Sequence, residues 1–232
     1  MNIQKIVFSF SFLIMISIGH AQPSDVIASK FFLDVGYGYG LRTSKAPSGK
    51  VEKDMYDNVK SGGNLNLEFG YKLNPQSSLS VAFNRYGFSG TVNSNTLTIA
   101  NVNFGSGTWK SKGNISFVGP KYNYHFDTSN KGQFSAGLGL GLLSYKSEDI
   151  INANISSVRA ETKGNSFGVI ATADYYYFIT KNLAIGAKLG LITGRLSKVK
   201  VTSGGNTVEQ KIDSKDGGLG QFNINGGFRI FF

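Results

Sequence analysis

The sequence predicts an all-β fold class, an eight-stranded antiparallel up-and-down transmembrane β-barrel, and three observations carry it. Apolar residues recur with period two in eight successive segments, the connections between segments alternate long and short, and the second face of each segment is built from small residues. Composition agrees: 41% hydrophobic residues with 13% aromatics leave enough apolar surface to offset the entropy of ordering the chain. The 232 residues include 30 glycines, 4 prolines and no cysteine. That excludes a disulfide framework, Cys-ligated zinc, an iron–sulfur cluster and a lipoprotein anchor.

Residues 1–21 read as an address. Lys5 precedes an apolar run from Ile6 to Ile18, followed by small residues at Gly19 and Ala21, which is the pattern of a secretory signal peptide cleaved after Ala21. The run is short for a helical span of roughly 20 residues. Lys5 is the only Lys, Arg, Asp or Glu in that segment, so cleavage lowers the formal net charge from +10 to +9. Residues 22–29 are expected to form a short periplasmic segment, and 30–232 the barrel.

The first strand places Phe31, Leu33, Val35, Tyr37, Tyr39 and Leu41 on one face, with Asp34, Gly36, Gly38 and Gly40 opposite and Phe32 as the exception. The second sets Leu65, Leu67, Phe69, Tyr71 and Leu73 against Asn64, Asn66, Glu68, Gly70 and Lys72. The third begins Leu79, Val81, Phe83. The fourth alternates Val118, Pro120, Tyr122, Tyr124 and Phe126 with Phe117, Gly119, Lys121, Asn123 and His125. The fifth opposes Phe134, Ala136, Leu138, Leu140 and Leu142 to Ser135, Gly137, Gly139 and Gly141. The sixth runs from Phe167 to Ile179, with Ile170, Thr172, Asp174 and Tyr176 inside. The seventh turns Leu183, Ile185, Ala187, Leu189 and Leu191 away from Ala184, Gly186, Lys188 and Gly190. The last turns Phe222, Ile224, Phe228, Ile230 and Phe232 away from Asn223, Asn225, Gly227 and Arg229. No helix of convincing length is expected between them.

Connections at 42–61, 88–112, 147–163 and 195–218 are long, and those at 74–78, 127–133 and 180–182 are short. This asymmetry is that of an outer-membrane barrel with short periplasmic turns, and an even strand count puts both termini in the periplasm. The polar face carries Gly, Ala, Ser and Asn, as suits a crowded interior. The other face carries aromatics toward the short-turn end (Phe31, Tyr71, Tyr124, Phe126, Phe134, Tyr177, Phe232), as an interfacial girdle would.

Interior charges fall at similar height. Asp34, Glu68, Lys121, Asp174, Lys188 and Arg229 lie a few residues from the periplasmic strand ends, and their formal sum is zero, as expected for groups paired away from water. Hairpin counting sets Asp174 opposite Lys188 and Lys121 opposite Gly139, and barrel closure brings Asp34 near Arg229. A charge-paired plug is therefore expected. Arg85 continues the lipid-facing parity of Phe83; either it snorkels to the outer interface, or a bulge after Phe83 turns Tyr86 and Phe88 outward.

On these residues the chain resembles the small eight-stranded outer-membrane barrels of Gram-negative bacteria, the OmpA-like and OmpX-like "outer membrane protein beta-barrel domain" family, over nearly all of 30–232. The most specific match is the terminal Phe228-Arg229-Ile230-Phe231-Phe232. The resemblance implies that Phe228, Ile230 and Phe232 are a C-terminal assembly signal read by the barrel-insertion machinery. No peptidoglycan-binding domain follows the last strand, so wall anchoring is not carried over, and the family name implies a location more than an activity.

Other chemistry is weak. No amphipathic helix follows Gly36-Tyr37-Gly38 or the glycines of the fifth strand, so they read as interior packing rather than a nucleotide loop, and Asp216-Gly217-Gly218 as a turn. His125 would need a nucleophilic Ser and an orienting acid to hydrolyse lipid, with Ser135 and Asp127 the nearest by hairpin geometry. No metal or cofactor spacing is present. Lys110, Lys112, Arg195, Lys198 and Lys200 would meet lipopolysaccharide phosphates at the outer leaflet. No reading motif for nucleic acid accompanies the charge. Residues 93–104 would offer strand edges to an extracellular ligand at the loops. The expected function is a non-enzymatic outer-membrane barrel, plugged inside, serving envelope integrity or surface interaction. The alternatives are a narrow conduit or binding protein for small hydrophobic solutes and, third, a lipid hydrolase.

Overall fold

The computed structural model describes residues 29–99, 102–127, 131–153, 156–213 and 217–232. The expected leader, nearly all of the segment after it, and Asp216 lie outside these residues. Eight strands close a ring: β1 (Phe31–Arg42), β2 (Ser61–Asn74), β3 (Ser77–Ser94), β6 (Gly107–Asp127), β7 (Gly132–Ala153), β8 (Ser156–Phe178), β9 (Leu183–Gly194) and β12 (Gln221–Phe231). Every neighbouring pair is antiparallel, and β12 pairs with both β9 and β1, so the ring has no free edge. Amide and carbonyl of Phe31 and Phe232 exchange two bonds of 3.0 Å at the seam.

Period two fixes what each face meets. Asp34, Lys121, Asp174, Lys188 and Arg229 point inward and are buried, while their strand neighbours point out. Outward residues form an apolar belt in which Tyr37 and Leu140 remain 68% and 65% exposed. A belt of that extent is unfavourable against water and suited to hydrocarbon. At the short-turn end it finishes in an aromatic girdle, where Phe31 lies 5.1 Å from Tyr71 and 6.3 Å from Phe232, and Tyr124 lies 4.7 Å from Phe126 between ring centroids.

The long connections differ from expectation. The first contains a helix, α1 (Lys50–Val59), whose Val51, Met55 and Val59 recur at helical spacing and are buried together. The period-two reading overlooked those three residues because Lys, Glu and Asp surround them. Two other expected loops are mostly strand: β3 and β6 stay paired up to Ser94 and Gly107, and β7 and β8 up to Ala153 and Ser156. Between β3 and β6, β4 (Thr98–Ile99) and β5 (Val102–Asn103) make a small separate ladder, and the adjoining Leu97 is buried.

After β9 the chain turns into a hairpin, β10 (Lys198–Ser203) and β11 (Asn206–Lys211). Its turn needs Gly204 and Gly205, whose φ of 56° and 82° other residues rarely adopt. β8 pairs with β9 as far as Gly168–Gly194 and with β10 from Lys163–Lys200 upward. Buried Leu196 fills the junction, and the Ser166 hydroxyl donates to the Arg195 carbonyl across it. The barrel thus continues into a paired sheet of β3, β6, β7, β8, β10 and β11, which ends at exposed β11.

Candidate functional site

The interior is layered. Along β8 from the short turn, Phe178 and Tyr176 are followed by Asp174 and Thr172, then Ile170. Tyr176 belongs to an aromatic cluster with Phe32, Phe178 and Phe231, and Ile170 to an apolar one with Tyr86, Ile115, Phe117, Leu143 and Ile192 that α1 joins from above. The Tyr86 hydroxyl donates to the Val59 carbonyl at 2.8 Å, tying the upper layer to the helix.

All six expected charges meet in the middle layer. Lys188 Nζ lies 2.9 Å from Asp34 Oδ2 and 2.8 Å from Glu68 Oε2, Lys121 Nζ lies 2.7 Å from Glu68 Oε2, and Arg229 Nη2 lies 2.9 Å from Asp34 Oδ2. Asp174 is the loosest member, 3.7 Å from Arg229 and 4.0 Å from Lys188, with no hydrogen bond to either carboxylate oxygen. Hairpin counting gives the right register for Asp174 with Lys188 and Lys121 with Gly139, and barrel closure for Asp34 with Arg229. Asp34 and Arg229 are also partners, but the register does not give the nearest partners of the two lysines, because the four-carbon lysine stem crosses the lumen from its own rung.

Neutral groups complete the network, and interior parity was the signal that could have found them. Ser80 and Asn123 donate to Glu68 Oε1 at 2.7 and 2.9 Å, Lys121 donates to Thr172 at 3.1 Å, and the Tyr176 hydroxyl donates to Asp34. The Arg229 guanidinium also stacks 4.2 Å from the Tyr176 ring centroid and 4.7 Å from that of Phe32.

His125 sits between two hydroxyls, with Nε2 2.9 Å from Ser78 Oγ and Nδ1 2.8 Å from Ser135 Oγ. Both ring nitrogens are occupied by these hydroxyls. His125, Ser78 and Ser135 are at most 1% exposed, so a lipid ester has no approach. The side chain of Asp127, the expected acid, lies outside the described residues.

Outside, Phe228, Ile230 and Phe232 face outward at the end of β12 with Arg229 and Phe231 inside. The basic residues collect on the outward face of the upper sheet. Lys110 and Lys112 extend β6, while Lys198 and Lys200 stand on β10, not on β9 as expected, because the chain leaves β9 at Gly194. Arg195 is exposed where β9 ends. Lys112 is not alone: Glu148 of β7 lies 3.1 Å away, and Glu209 of β11 lies 3.1 Å from Lys198. No bulge follows Phe83. Arg85 pairs in register with Leu65 and Ser116, points outward, and leaves Tyr86 and Phe88 inside, which removes the bulge alternative.

No protein-family model matches the sequence, and no curated protein matches it. Among solved structures, a major outer membrane protein from Thermus thermophilus aligns with a TM-score of 0.59 and 11% identity, over 89% of this chain and 100% of that one. The fold is that of an outer-membrane β-barrel. Looser likenesses to such barrels are Neisserial surface protein A (TM-score 0.46, 15% identity, 87% and 97% covered) and the attachment invasion locus protein Ail of Yersinia pestis (0.46, 13%, 88% and 100%). At these identities the outer-membrane β-barrel likeness concerns architecture.

Proposed function

We propose that this chain is a non-enzymatic outer-membrane barrel with a closed lumen that supports envelope integrity or surface interaction through its paired extracellular sheet. The observation that supports this reading is the layered interior: an aromatic layer, a charge-paired layer and an apolar layer follow one another with α1 over the last. In the same reading residues 1–21 direct export, 22–29 stay in the periplasm, and Phe228, Ile230 and Phe232 are recognised by the barrel-insertion machinery. Outer-leaflet lipopolysaccharide meets the basic face at Lys110, Lys112, Arg195, Lys198 and Lys200. Against a lipid hydrolase stands the buried, hydroxyl-bonded His125.

The solute-conduit alternative needs an axial or lateral path. The layered interior argues against the first, and Leu196 in the one junction where β8 changes partner argues against the second. Expression in a Gram-negative host followed by membrane fractionation, with liposome swelling by small sugars on the purified protein, tests the reading. It predicts outer-membrane recovery and no swelling above empty liposomes; recovery in the soluble periplasm, or rapid swelling, would contradict it.

A further inference from the structure

We infer that the outward wall holds a docking site for the phosphate of an outer-leaflet lipid headgroup, framed by Arg85, Lys112 and Lys146. The inference rests on the membrane reading above and assigns a ligand class to one place on the wall. A groove of about 650 Å³ crosses the outward faces of β2, β3, β6 and β7, lined by those three cations and floored by Gly63, Gly87 and Gly113. Of these glycines Gly87 is the one that keeps the groove open, since a Cβ there would meet nothing within 4 Å, whereas one on Gly63 would meet the Tyr37 hydroxyl and one on Gly113 the Lys146 carbonyl.

Position argues for lipid. On β3, outward Leu79, Val81 and Phe83 lead directly to Arg85; on β6, Tyr122, Pro120 and Val118 give way to Ser116, Asn114 and Lys112; on β7, Leu138, Leu140 and Leu142 give way to Ser144 and Lys146. On each strand the cations therefore begin one to three outward positions, roughly 7 to 20 Å of strand, beyond the apolar belt. A lipid with acyl chains on that belt presents its headgroup at this level.

Charge argues for phosphate. Lys112 is engaged by Glu148 at 3.1 Å and Lys146 by Glu161 at 2.8 Å, but among the described residues the Arg85 guanidinium has no ion-pair or hydrogen-bond partner. Glu148 also lines the groove; its carboxylate is already shared between Lys112 and Arg159, so the groove stays net positive. A planar guanidinium with free donors matches two phosphate oxygens at once.

The test reconstitutes the full chain in nanodiscs containing diphosphorylated lipid A or its dephosphorylated form, and reads lipid retained by native mass spectrometry. Folding is scored separately by heat-modifiable gel mobility. Wild type is expected to retain the phosphorylated lipid, and R85Q and R85Q/K146Q to lose retention roughly tenfold or more while folding normally, with K211Q, on β11 away from the groove, unchanged. Three results would overturn the inference with the barrel reading intact: equal retention of both lipids by a folded protein, no loss in R85Q/K146Q, or displacement of lipid by millimolar inorganic phosphate. Failure of wild type to enter any bilayer would overturn both.

Discussion

Lys188 holds two buried carboxylates, Asp34 and Glu68, within hydrogen-bonding distance. Lys188→Met leaves three buried carboxylates, Asp34, Glu68 and Asp174, to share two cations, Lys121 and Arg229, so a loss of about 3–5 kcal/mol is expected in urea unfolding from detergent or bilayer. Lys198→Met, which removes an exposed pair with Glu209, should leave the same transition unmoved. Close backbone approach makes a second contrast. A Cβ on Gly38 would lie 1.9 Å from the Ile224 carbonyl oxygen, whereas Gly87 faces open space. Gly38→Ala is therefore expected to destabilise by about 1–3 kcal/mol and Gly87→Ala to be tolerated, as judged by folded yield and unfolding midpoint. At this scale the sequence disclosed which side chains point inward, because parity alone decides that. The partners of Lys188 were hidden, since long side chains meet across a lumen whose far wall lies some 120 to 154 residues away in the chain.

Helix α1 is held to the barrel by one apolar face and by the bond from Tyr86 to the Val59 carbonyl. Met55→Asp buries an unpaired carboxylate, and the expected outcome is faster hydrogen exchange and proteolysis within 43–60 while the barrel keeps its heat-modifiable mobility. The exposed Asp57 carboxyl is held below its usual range by hydrogen bonds from Lys60 and then Lys53. A depressed folded-state value means that its small contribution is present above the ordinary carboxylate pKa and lost as pH falls through the lowered one. Protease protection of α1 should thus hold at neutral pH, weaken only in strong acid, and soften with added salt. Elements inside the belt were legible because a lipid-facing strand must alternate. Those above it obey weaker rules: α1 shows only three apolar residues among charges, and the upper strands carry Ser, Asn and Lys where β propensity is low.

For the whole molecule, one wall serves three environments. In the proposed reading hydrocarbon meets the apolar belt, the outer leaflet meets Arg85 and the lysines above it, and the layered side chains of the interior close the lumen. An eight-stranded ring is narrow, large side chains such as Phe32, Phe117, Lys121, Tyr176 and Arg229 are buried within it, and the charged layer is neutral in sum, so no ion finds a counter-charge waiting inside. The formal surplus of the chain belongs largely to the upper sheet, beyond the span, since α1 itself carries two lysines against three acids. The most direct measurement is single-channel recording of the purified protein in planar bilayers, with insertion verified in parallel by its folded gel mobility. A closed lumen predicts a flat baseline across applied voltages of both signs; steady, ohmic conductance at the level of a general porin would contradict it.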